Sequence, residues 1–158
     1  MQMLGKTLND PEGLEGTDKR GPQSGLGLLP LDTTFSGTKR LSQRSIDGLW
    51  PMETPLNGFE LHYGTTTPDP SLQPLSSDPG LGWWAPGPKG SSVVGTYLHG
   101  LLDNGPWRRA WLNRLREQRG LQPLANEPKN HSVHRDLLLD RLADAFEQHV
   151  NLAPLLQP

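Results

Sequence analysis

The sequence predicts an α/β fold, and three stretches of residues carry that prediction. Ser92 to Leu98 is a β-rich run that ends at His99, between Gly95 and Gly100. Beyond it, Trp107, Trp111 and Leu115 recur every four residues, the spacing of a helix face turned toward a core. A second stripe, Leu138, Leu142, Ala145, Phe146 and Val150, closes the chain with another helix. At 158 residues the chain suits one domain, 1–158, and a globule of that size buries about 70% of its unfolded surface.

Taken in order, the elements read as follows. Gln2-Met3-Leu4-Gly5 has helical composition and meets a stop at Asn9-Asp10-Pro11-Glu12-Gly13. Gly25 to Leu31 reads as a short buried strand between turns, and Thr33 to Arg44 as a polar, exposed strand. Phe59-Glu60-Leu61-His62-Tyr63-Gly64 alternates in the strand manner after an Asn57-Gly58 turn. From Thr65 to Ser92, six prolines forbid a continuous ladder or helix. Within that stretch Leu81-Gly82-Trp83-Trp84 is a candidate strand; adjacent tryptophans point to opposite faces, so at least one packs on another element. The stretch reads as a surface loop pinned by a tryptophan, with a functional lid as the other reading. Asp103 or Asn104 then caps a helix with Pro106 in its first turn and Gly120 after Arg119. Asn130 or Ser132 caps the last one.

Composition narrows the chemistry. A formal charge of −2 gives no electrostatic case for nucleic acid or an anionic membrane as partner. The absence of cysteine excludes disulfides, thiolate metal sites and a cysteine nucleophile supplied by this chain. Met1 to Lys6 lacks the basic-then-apolar pattern of a secretory signal, and no run approaches the ~20 apolar residues of a membrane span. A cytoplasmic protein is expected. With 18 glycines, 16 prolines and 33% hydrophobic residues, the chain is either loop-rich or a piece of something larger.

His99 is the foremost candidate for chemistry. Strand ends are where sites on α/β sheets gather, and an unperturbed imidazole exchanges protons near neutral pH. Two roles stand open on sequence alone: a catalytic base, or a residue that caps the strand. Glu60 and His62 share one face of a strand, so they can form a carboxylate–imidazole hydrogen bond or simply make a polar surface. His131, His134 and His149 do not share a metal-binding face and read as solvent-facing or capping residues. The arginines of the first helix read as a solvated face.

Five motifs then occur in order: Gln2 to Gly5, Asp10 to Gly16, Gly25 to Leu29, Gly58 to Thr65 and Gly95 to Gly100, followed by Asp140-Arg141-Leu142-Ala143-Asp144. Over essentially the whole chain they resemble the C-terminal part of the cobyric acid synthase family. The resemblance implies a class I glutamine amidotransferase domain, here the remaining part of a three-layer α/β/α sandwich with a mixed sheet and two C-terminal helices. In that family a cysteine on a strand-to-helix elbow attacks the glutamine amide. The elbow runs into Gln-Met-Leu-Gly, so Gln2 belongs beside the site and the nucleophile is expected just upstream of residue 1.

His99 matches the family's catalytic histidine. Glu60 and His62 match a motif near the site, with no role assigned to either. Many class I enzymes carry a glutamate two residues after the histidine; Leu101 stands there in this chain. The resemblance further implies a ligase domain that uses ATP and Mg²⁺ on a corrinoid substrate and receives ammonia from glutamine. No phosphate-binding glycine loop is found in these 158 residues. The chain is therefore expected to need no cofactor itself, to be inactive alone and to self-associate through an uncovered sheet edge. Two alternatives are a non-catalytic binding module with the same fold and the glutaminase subunit of a lipid II amidotransferase.

Overall fold

A computed structural model describes residues 1–15, 21–125 and 128–151. Among the described residues, a single 3-10 turn over Gln2–Leu4 precedes ten strands. They are β1 (Thr7–Asp10), β2 (Gly21–Ser24), β3 (Leu31–Thr34), β4 (Arg40–Gly48), β5 (Thr54–His62), β6 (Thr65–Pro68), β7 (Gln73–Pro74), β8 (Gly82–Pro86), β9 (Ser92–Thr96) and β10 (Leu98–His99). Two helices follow, α1 (Gly105–Glu117) and α2 (His131–His149).

The strands form three small sheets. The first, in the order β2-β1-β3-β6, is mixed: β1 runs parallel to β3, and the other pairs are antiparallel. The second, β10-β5-β4, and the third, β7-β8-β9, are antiparallel throughout. A bridge between Gly48 and Ser76 links these two. The chain is thus a mixed α/β structure with several sheets, one of them mixed, and two helices.

Two apolar clusters hold the sheets. Trp50, Leu56, Leu75, Leu98, Leu101 and Trp107 form the larger. Trp50 stacks on Trp84 at 4.9 Å, and the buried indole N–H of Trp107 donates to the Trp50 carbonyl at 2.7 Å. That bond removes the cost of burying a polar edge while the ring fills the core. Leu29, Leu31, Leu72 and Trp83 form the second cluster under the mixed sheet. Both tryptophans of the 83–84 pair therefore pack, one into each cluster.

Several sequence expectations shift. Gly25 to Pro30 is a connection between β2 and β3, not a strand, although Leu29 and Leu31 are buried as expected. Thr33 to Arg44 divides between β3 and β4. The Asn57-Gly58 pair lies inside β5, where β10 crosses it, and makes no turn. The proline-rich stretch holds β6, β7 and β8, with Pro68 and Pro86 at strand ends and Pro74 on the edge strand β7, where a missing N–H costs least. α1 ends at Glu117, two residues before the expected position. Gly16, the last residue of the second motif, lies outside the described residues.

Candidate active site around His99

β10 is only two residues long, and their alternation decides the site. Leu98 turns into the larger cluster, so His99 must face outward. Its backbone pairs with Phe59 of β5, and the two rings stack at 4.8 Å with planes 10° apart. The imidazole Nε2 lies 3.3 Å from the Leu61 carbonyl, which only accepts, so Nε2–H donates and the lone pair stays on Nδ1. Gly58 makes the crossing possible: a Cβ there would stand 2.2 Å from the His99 carbonyl oxygen. Gly100, with φ of +82°, then turns the chain in the left-handed region that glycine enters freely.

The turn is locked from below. Asn104 is 2% exposed; its amide oxygen accepts from the Asn57 N–H, and its amide group donates to the carbonyls of Asn57, Gly100 and Leu101. The sequence marked Asn104 only as a helix cap. It occupies the cap position of α1, but its side chain ties β5 to the loop after His99 and makes no cap hydrogen bond. Asn130 does the same at α2, where its side chain accepts from the Gly105 N–H.

A cavity of about 690 Å³ opens beside His99 and also takes Gln2, Glu15, Lys39, His62 and Tyr97 in its wall. Three of the four expected site residues, Gln2, His62 and His99, thus meet in one space. The fourth, Glu60, lies beneath it, 2% exposed. Glu60 Oε1 accepts from His62 Nε2 at 2.8 Å, with the Arg40 guanidinium at 3.4 Å and Arg44 Nε 3.7 Å from the other oxygen. Arg44 continues to Asp78. A carboxylate removed from water needs such partners. His62 in turn stacks on Tyr97 at 3.6 Å.

The Tyr97 phenol is pushed above its ordinary value by burial, only partly offset by hydrogen bonds with Thr66, Gln2 and Thr33. It stays a neutral hydroxyl, 2.5 Å from Thr66 Oγ1. Gln2 also donates to the Tyr63 carbonyl at 2.9 Å. A second recess of about 320 Å³, also lined by His99, reaches Asp103, His131 and Arg135. Among the described residues no three imidazole or carboxylate side chains converge to hold a metal ion.

Glu15, Lys39, Phe59, Tyr97 and Asn104 were not singled out by sequence. Glu15, Phe59 and Tyr97 lie inside the motifs but carried no role there, and Asn104 carried a signal that pointed to another role. These residues reach the site from elements far apart in the chain.

A family model described as the CobB/CobQ-like glutamine amidotransferase domain matches residues 1–107, the segment that holds all of β1 to β10. A cobyric acid synthase of Synechococcus sp. (strain CC9605) is 91% identical over all 158 residues. The cobyric acid synthases of Parasynechococcus marenigrum (strain WH8102) and Nostoc sp. (strain PCC 7120 / SAG 25.82 / UTEX 2576) are 62% and 45% identical over 100% and 98% of the chain. In each case the match covers 32% of the relative, so the chain spans about a third of the length of the curated relatives it matches.

Proposed function

The chain belongs to the CobB/CobQ-like glutamine amidotransferase family, and on that premise we propose that His99 is the base of a glutaminase site whose thiolate comes from outside these 158 residues. One observation carries the reading. His99 projects from a strand end into the same cavity as Gln2 and His62, fixed in orientation by Phe59 and the Leu61 carbonyl.

The chemistry follows from what an imidazole and a thiol do together. His99 takes the thiol proton, and the thiolate attacks the side-chain amide carbon of glutamine. The tetrahedral intermediate collapses as the imidazolium returns its proton to the leaving nitrogen, releasing ammonia. Water, activated by the same ring, then cleaves the thioester to glutamate and restores the thiol. The Glu60–His62 pair fixes one wall of the cavity; the neutral Tyr97 hydroxyl holds Gln2 in reach of it.

The resemblance to cobyric acid synthase extends the proposal. In the longer protein, the ammonia would serve ATP-dependent amidation of carboxylates on a corrinoid, adenosylcobyrinic a,c-diamide, in cobalamin biosynthesis. No step here is assigned to ATP or Mg²⁺.

The test compares glutamate release by the 158-residue chain with that of the chain joined to the remaining two thirds of its 91% identical relative. Activity only in the joined protein is the expected result. Turnover by the 158 residues alone would place the nucleophile elsewhere and overturn the proposal.

A further inference from the structure

The cavity beside His99 holds two opposite charges that do not pair. Glu15 and Lys39 both line it, and neither makes an ion pair among the described residues. Each is nonetheless held in place. Asp10 accepts hydrogen bonds from the backbone N–H groups of Leu14 and Glu15, which fixes the loop that brings Glu15 to the rim. The Lys39 ammonium sits 5.6 Å from the centre of the Tyr63 ring, an arrangement that holds a cation over an aromatic face. The remaining polar wall, Gln2, His62 and Tyr97, has its hydrogen bonds largely committed within the protein.

Such a cavity has the complement of a free α-amino acid: a carboxylate for the ammonium, an ammonium for the carboxylate, and a general base for the far end. Its volume, about 690 Å³, falls within the ~300–1,000 Å³ of small-molecule sites. We infer that Glu15 and Lys39 read the zwitterionic head group of L-glutamine, Glu15 the α-ammonium and Lys39 the α-carboxylate, and so select the free amino acid over peptide-linked or blocked glutamine. The inference rests on the glutaminase reading above. It gives a role to Glu15, which the sequence placed in a motif without one, and to Lys39, which the sequence placed on a polar strand.

Two charges that read a head group remote from the reacting amide supply uniform binding, which is felt in KM and not in kcat. The experiment measures steady-state glutaminase kinetics of the joined protein for L-glutamine, L-glutamine α-amide and N-acetyl-L-glutamine, with Glu15→Gln, Lys39→Met and His99→Ala variants. Melting temperatures accompany each to separate misfolding from lost recognition.

Each single charge variant should raise KM for L-glutamine about tenfold, as expected for one lost charge-assisted contact, with kcat nearly unchanged. Lys39→Met should lose the preference for glutamine over its α-amide and keep the preference over the N-acetyl form. Glu15→Gln should do the reverse. Unchanged KM and selectivity in folded variants, with His99→Ala inactive, would overturn this inference and leave the glutaminase reading intact. Full activity in His99→Ala would remove both.

Discussion

At the scale of single residues, the imidazole of His99 is oriented without a carboxylate. Among the described contacts the ring meets only the face of Phe59 and the Leu61 carbonyl, and the residue two places on is Leu101. Stacking of this kind contributes about 0.5–1.5 kcal/mol beyond area burial. Phe59→Ala in the joined protein should therefore lower glutaminase kcat roughly three- to tenfold with KM little changed, and Phe59→Tyr should restore it. Equal kcat in Phe59→Ala and wild type would show that the stack does not orient the base. His99 itself was legible in the sequence, because a histidine between glycines at the end of an apolar strand has few neighbours to explain it away. Phe59 was not: its relation to His99 is a cross-strand register between positions forty residues apart, and register depends on the completed fold.

At the scale of elements, β5 shows where local rules yielded to tertiary ones. Asn-Gly is a strong hairpin signal, and the sequence placed a turn there. In the structure Gly58 is needed instead because the β10 backbone passes over it at a distance no Cβ allows. The expected strand Ser92 to Leu98 divides into β9 and β10, which pair in different sheets, whereas both helices came through because their apolar patterns are long and regular. Gly25 to Leu31 did not, since a few buried leucines in a connection look the same as a short strand.

The loop after β1 carries a second prediction. Burial raises the Asp10 carboxyl, but hydrogen bonds from the N–H groups of Glu15, Leu14 and Gly13 outweigh it, and its value lies below the ordinary one. A carboxyl depressed on folding contributes stability that is present above its unfolded value, near ~3.9, and is lost as pH falls through the lower folded value. Asp10→Asn should melt below wild type at neutral pH, and the gap should close as pH falls below about 4. A gap that is constant with pH would mean the charge on Asp10 is not what holds the loop.

At the scale of the whole molecule, the apolar surface is unevenly covered. Leu138, Leu142 and Phe146 along α2 are 48%, 66% and 50% exposed. β9 has β8 on one side and no strand on the other among the described residues, beside a hollow of about 480 Å³ lined by Val94, Leu98, Trp107 and Trp111. Exposed patches and unpaired strand edges of this kind invite a second copy of the chain. Sedimentation of the 158 residues should show concentration-dependent association, reduced in Leu138→Glu/Phe146→Glu. A monomer at every concentration would contradict that expectation.

The matched family accounts for residues 1–107, which hold His99 and every residue named in the wall of the larger cavity beside it. The central claim is that His99 serves the release of ammonia from glutamine and no step of the amidation that follows. It is tested most directly by measuring amidation in the joined protein, wild type against His99→Ala, with either glutamine or free ammonia as nitrogen source. Loss of a general base costs on the order of 10²–10⁴-fold, so glutamine-dependent turnover should fall by at least about a hundredfold, while ammonia-dependent turnover reports an intact ligase. Glutamine-dependent turnover that survives in His99→Ala would contradict the account.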